Sequence, residues 1–241
     1  MKKSKLAKVL TVSLAALMVF GLASCGGGSG KVSDKDITVI SREEGSGTRD
    51  AFTELTGVLQ DDVDKTVDTA EISNSTSVVT QSVAGNDAAI GYISLGSLDD
   101  TVKAVKVDGV EATVDNIKSG DYKIQRPFNI VTKGEVKELP ADFIKFIMSK
   151  DGQKIIEDEG YISVNDNAEA YKASGLKGSI TLAGSTSVSP VMEVLADKYK
   201  ELNSGVTIEI QQTGSGAGIQ STTEGVCDIG MASRELKDEE T

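Results

Sequence analysis

Ile180-Thr181-Leu182-Ala183-Gly184-Ser185-Thr186-Ser187-Val188-Ser189-Pro190 decides the fold class. Its first four residues are a short β-rich run that reads as a buried strand. Gly184 to Ser189 reads as a loop. Pro190 suits the first turn of a helix to Leu202, with Ser189 as its N-cap. The same order recurs downstream: Val206–Ile210 is a strand, Gly214–Gly218 a loop, Ile219–Thr223 a short helix and Cys227–Met231 a strand. Strand–loop–helix repetition predicts an α/β protein with mostly parallel sheets.

Upstream the rhythm is the same. Ile37–Ile40 reads as a strand, Arg42–Thr48 as a Gly-rich turn and Asp50–Leu55 as a helix closed by Gly57. Asn74–Ser77 caps a helix through Val83, ended by Gly85. Ala89–Ile93 and Phe128–Thr132 read as strands, and Val102–Val107 alternates as a half-exposed strand would. Pro140–Ser149 and Asp151–Glu159 read as amphipathic helices. Residues 165–177 carry no clear period and read as a linker.

Composition narrows the chemistry. The chain has 241 residues, 39% hydrophobic and 26% charged, in the range of a globular protein. Its formal net charge of −12 argues against a nucleic-acid partner. It does not argue against a small anion, because a local array of backbone N–H groups can oppose the global charge. The chain has no His, which removes the commonest general base and metal ligand. With no nucleophile–base pair either, no enzyme activity, cofactor or metal is expected.

Residues 1–24 read as an address. Lys2, Lys3, Lys5 and Lys8 precede an apolar run, Val9–Leu22, too short for a comfortable membrane span. Gly26-Gly27-Gly28-Ser29-Gly30 then reads as a flexible tether within residues 25–36. Cys227 reads as a small buried hydrophobe in a strand.

Three strand–loop–helix junctions combine Gly with Ser or Thr: Glu44–Thr48, Gly184–Ser187 and Gly214–Gly218. Helix N-termini leave unpaired N–H groups and partial positive charge. Gly lets an anion approach the backbone, and hydroxyls add donors without charge. Such junctions bind oxyanions, although Ser and Gly also serve there as ordinary caps. In an α/β sheet the C-terminal strand ends face one crevice, so the three loops can converge. No Gly-Lys-Ser/Thr follows any of them, which argues against a nucleotide. Arg42 can pair with an oxyanion or with Glu43 or Glu44, and the two roles are compatible.

Leu22-Ala23-Ser24-Cys25 resembles a bacterial lipobox. The resemblance implies cleavage before Cys25, lipidation of its thiol and attachment to the extracellular face of the cell membrane. Arg42–Thr48 followed by Asp50-Ala51-Phe52, together with Gly184–Pro190, Gly214–Ile219 and Asp228–Arg234, resembles the anion loops of PstS-type phosphate-binding proteins. That resemblance covers nearly all of residues 37–241. It implies a two-lobed periplasmic-binding-protein (type II-like) α/β fold that closes on inorganic phosphate and delivers it to the permease subunits of an ABC importer. Carried over residue by residue, it implies Thr186, Ser187, Ser215, Ser233 and Arg234 as phosphate ligands from one lobe. Arg42, Ser46, Gly47 and Thr48 would come from the other.

Two departures accompany the resemblance. Some members place an Asp after the strand, at the end of the segment containing Gly230, to accept the ligand's proton; here the segment reads Ala232-Ser233-Arg234. The order of the loops is also exchanged relative to the usual member, as in a circular permutation. Residues 125–241, with the 165–177 linker and the loops at 184–189 and 214–218, would form one lobe. Residues 37–124 would form part of the other, incomplete because the sequence stops soon after Arg234. Sulfate, molybdate or tungstate is the alternative ligand, and a surface or sensing protein the alternative class.

Overall fold

Val39 and Ile40 put β-branched side chains into a strand that is covered on both neighbours, and in the computed structural model Thr38–Arg42 forms β1. The structure describes residues 35–241. The expectations for residues 1–34, including Cys25, lie outside the described residues.

The remaining elements follow in chain order. Helix α1 is Gly47–Leu55, and Gly57 takes the left-handed conformation just past its end. Strands β2 (Leu59–Gln60) and β3 (Val63–Asp64) form a hairpin. Its turn residues Asp61 and Asp62 both have positive φ, as a two-residue hairpin loop of this twist requires. Strand β4 is Glu71–Ser73, helix α2 Thr76–Ala84 and strand β5 Ala89–Ile90. Helix α3 is Val114–Lys118, strand β6 Asn129–Val131, helix α4 Glu138–Ile147 and helix α5 Lys150–Asp158. Strand β7 is Gly178–Gly184, helix α6 Ser189–Leu202, strand β8 Val206–Gln212, helix α7 Ser215–Glu224 and strand β9 Ile229–Ala232.

Two principal sheets result. The first has the order β4-β1-β5 and is parallel, with Arg42 opposite Ser73 and Thr38 opposite Ala89. The second has the order β6-β9-β7-β8. In it β7 runs parallel to β8 and β9, while β6 is antiparallel to β9. Its core is built from Ile180, Leu182, Leu195, Ile229 and Met231, with Phe143, Phe146 and Tyr199 packed from α4 and α6. Asp142 accepts hydrogen bonds from Tyr171, Ser174 and Tyr199. Tyr171 also packs edge-on to Phe146, so residues 165–177, which carry no helix or strand, are pinned to this core. A cavity of about 1320 Å³ lies between the sheets, lined among others by Ile40, Phe52, Val79, Ile144 and Leu195.

Several local expectations change. Val102–Val107 forms no strand; Val107 makes one antiparallel bridge to Val110 across the Asp108-Gly109 turn. Alternation there had no neighbouring strand to pair with, and Val105 faces solvent. The strand expected over Ala89–Ile93 stops at Ile90. Helix α6 starts at Ser189 with Val188 in the capping position, because the preceding turn is already helical: the N–H groups of Val188 and Ser189 both donate to the Ser185 carbonyl. Helix α7 begins at Ser215, four residues before Ile219. Gly216 and Gly218 disfavour a helix intrinsically, yet a Cβ on Gly218 would lie 2.4 Å from Gly184 Cα, so close packing on β7 demands the glycine. Cys227 is buried and free, but precedes β9 rather than belonging to it.

Candidate functional site

The parallel strands β1, β7 and β9 deliver their C-terminal ends to one place, with helices α1, α2, α6 and α7 starting there. Hydroxyls from those junctions touch one another. Thr48 Oγ1 lies 2.7 Å from Ser187 Oγ and 3.3 Å from Ser233 Oγ. Ser185 Oγ donates to Ser233 Oγ at 2.9 Å, and Ser215 Oγ is 3.4 Å from the same oxygen. Thr76 Oγ1 lies 3.1 Å from Thr186 Oγ1 and 3.3 Å from Ser187 Oγ. All seven residues are buried.

All three Gly/Ser/Thr junctions therefore converge. Besides the Thr48–Ser187 contact, the Gly216 N–H donates to the Gly45 carbonyl at 3.0 Å. The approach is closest at Gly47, the first residue of α1. A Cβ there would lie 2.4 Å from Ser215 Oγ and 3.0 Å from Ser233 Oγ. Only a residue without a side chain brings the α1 N-terminus this near to the α7 N-terminus. Ser46 caps α1, accepting weakly from the Arg49 N–H at 3.5 Å.

Arg42 reaches into the cluster from the end of β1 and is 2% exposed. Its Nη2 donates to Thr186 Oγ1 at 3.0 Å and its Nη1 to Thr76 Oγ1 at 3.4 Å. Glu43, rather than Glu44, holds it: Nε and Nη2 each donate to a Glu43 oxygen at 2.9 Å. Nε also donates to the Ser73 carbonyl on β4. The guanidinium is thus fixed bidentately on one side and presented to hydroxyls on the other.

Arg234 is placed differently from the expectation. Its Nε donates to Asp50 Oδ2 at 2.9 Å, and its terminal nitrogens donate to the two oxygens of Glu240 at 2.6 and 2.8 Å. Hydrogen bonding to Glu240 raises its pKa and, with the Arg234 charge, holds the Glu240 carboxyl below its usual range. This guanidinium is committed to carboxylates, not to the hydroxyl cluster. The neighbouring Ser233, by contrast, sits at the centre of the cluster, and its N–H donates to Ser215 Oγ at 3.1 Å.

Three participants were not singled out from the sequence as site residues. Thr76 looks like a capping residue, yet Ser75 holds the capping position without a side-chain cap bond and Thr76 faces Thr186 and Ser187. Ser185 lies within the quoted Gly184–Ser187 loop. Arg126 belongs to the irregular segment before β6. Its Nε donates to the Ser233 carbonyl at 3.1 Å and its Nη2 to Thr48 Oγ1 at 3.4 Å. Burial, with the neighbouring charge of Arg42, pulls its pKa down to about 10 against an opposing contribution from Tyr161.

The chain is similar to known proteins. Residues 28–151 and 169–241 match the PBP superfamily domain. Phosphate-binding protein PstS 2 of Streptococcus agalactiae is 52% identical over 243 residues, covering 98% of this chain and 82% of that protein. The crystal structure of a phosphate-binding protein of a phosphate ABC transporter from Streptococcus pneumoniae is 50% identical, with a TM-score of 0.68 over 86% of this chain and 82% of that one. A structure with bound phosphate from Clostridium perfringens, of a substrate-binding protein assigned to a phosphate ABC transporter, is 46% identical. It has a TM-score of 0.50 over 54% of this chain and 52% of that one.

Proposed function

Because the chain belongs to the PBP superfamily and, within it, to the PstS-type phosphate-binding proteins, we propose that it captures inorganic phosphate outside the cell and hands it to an ABC importer. It is a binding protein, not an enzyme. One observation carries the ligand assignment: seven buried hydroxyls from separate strand ends and helix starts converge on one point beside the Arg42 guanidinium. Hydroxyls and helix N-termini are donors suited to a compact tetrahedral oxyanion.

The ligand set is Arg42, Thr48, Thr186, Ser187, Ser215 and Ser233, with the N–H groups at Gly47 and Thr48 added by α1. Ser46 contributes by capping that helix, and Arg234 by tying Asp50 of α1 to the Glu240 segment rather than by touching the anion. Residues 37–124 and 125–241 act as two lobes that close on phosphate. Lipidation of Cys25 and the glycine tether hold the protein at the membrane beside its permease subunits.

Calorimetric titration of the purified chain with phosphate, sulfate, molybdate and tungstate tests the ligand. One phosphate per chain with weaker sulfate binding is expected, and tighter sulfate binding would defeat the assignment. Retention of Cys25→Ala in the membrane fraction would count against the anchor.

A further inference from the structure

Resting on the phosphate reading above, we infer that Arg126 is a second cationic ligand of the anion, and that it makes the site select the doubly charged form of phosphate. Arg126 shares Thr48 and Ser233 with the hydroxyl cluster, through Nη2 to Thr48 Oγ1 at 3.4 Å and Nε to the Ser233 carbonyl at 3.1 Å. The Phe128 ring centroid lies 5.2 Å from its guanidinium carbon, a cation–π contact. Arg42 spends two of its five donors on Glu43, which offsets much of its charge. Among the described residues, no carboxylate lies within ion-pairing distance of Arg126, so its charge is uncompensated.

Among the described residues no carboxylate hydrogen-bonds to the seven hydroxyls, and Ser233, at their centre, is neutral. Glu43 is taken up by Arg42, and the Arg126 charge adds to the site with no carboxylate against it, so each additional negative charge on the ligand is favoured. Among the described residues, the groups whose charge acts on Arg126 are Tyr161 and Arg42, the latter paired with Glu43. Burial raises the Tyr161 phenol, so it stays neutral between pH 6 and pH 8. Arg126, at about 10, stays charged there. Over that interval the titrating partner is the phosphate itself.

The test is calorimetric titration of the full chain with inorganic phosphate at pH 6 and pH 8, for wild type, Arg126→Gln and Arg126→Lys. Inorganic phosphate loses its second proton near pH 7, so its dianion fraction rises roughly tenfold across this range, and apparent affinity follows the competent fraction. Wild type is expected to bind about five- to tenfold tighter at pH 8. Arg126→Gln should bind roughly 10- to 100-fold more weakly at pH 8, the loss of one charged hydrogen-bonding partner, and its affinity should change less than about twofold with pH. Arg126→Lys keeps the charge without the fork, so its binding weakens but the pH ratio stays.

Wild-type affinity at pH 8 in Arg126→Gln, or an undiminished pH ratio, overturns the inference while leaving phosphate binding intact. So does a wild type that binds phosphate equally at both pH values. A wild type that releases no heat with phosphate overturns the underlying reading, and this one with it.

Discussion

Replacing Gly47 with Ala separates binding from folding. The added Cβ would sit 2.4 Å from Ser215 Oγ and 3.0 Å from Ser215 Cβ and Ser233 Oγ. Relief to an ordinary contact requires about 1 Å at the Ser215 hydroxyl, taken up by turning it out of the cluster and by shifting the start of α1. Thr48, the next residue, would move with it. Its contacts of 2.7 Å to Ser187 and 3.3 Å to Ser233 would stretch past hydrogen-bonding range or lose direction. One or two hydrogen bonds to a charged ligand would be lost, about 2–4 kcal/mol, or roughly 30- to 700-fold in Kd.

Stability should respond much less to the same change. Overpacking costs about 1–3 kcal/mol, and Ala recovers up to about 1 kcal/mol over Gly within a helix. Phosphate titration by calorimetry, with urea unfolding in parallel, reads both effects. Gly47→Ala with a Kd within about threefold of wild type would refute the claim that close approach of these two helix ends builds the site.

Two further outcomes are expected. Arg234→Met strands Asp50 and Glu240 without their shared cation and should lower urea stability by about 2–3 kcal/mol, while phosphate affinity changes less than about fivefold; a collapse of affinity with stability retained would make Arg234 a direct ligand. Burial opposes ionisation of Asp142, but hydrogen bonds from Tyr171, Ser174 and Tyr199 outweigh it and hold the carboxyl below its usual range. A depressed carboxylate stabilises the fold above its unfolded pKa of about 4, and that contribution disappears as pH falls through the lower folded value. Asp142→Asn should therefore be about 1–3 kcal/mol less stable at pH 7, with the deficit shrinking at pH 3; an equal deficit at both would refute the account.

Much of this architecture is legible along the chain because it is local. Ile180–Ala183, Val206–Ile210 and the helix to Leu202 are periodic segments closed by Gly and Pro, and they hold as β7, β8 and α6. The Gly/Ser/Thr junctions advertise themselves for the same reason. Features set by tertiary placement do not. Arg126 lies in an aperiodic stretch, and its role comes from Ser233, more than a hundred residues away. Thr76 looks like any helix-start threonine until β7 brings Thr186 beside it. Arg234 follows a matching motif, but Asp50 and Glu240, one distant and one near in sequence, claim its donors. Val102–Val107 fails the other way: its alternation suits a strand, but no neighbouring strand is there to receive it.

The Thr48, Ser187 and Ser233 oxygens have a further property as neighbours. Each hydroxyl can donate or accept, and the contact between Thr48 and Ser187 works with either as the donor. Turning a proton about a C–O bond redirects a hydroxyl from its neighbour in this Ser187–Thr48–Ser233 chain toward a ligand, with no change of backbone. The polarity that the site presents is thus set by the ligand that enters it rather than fixed in advance.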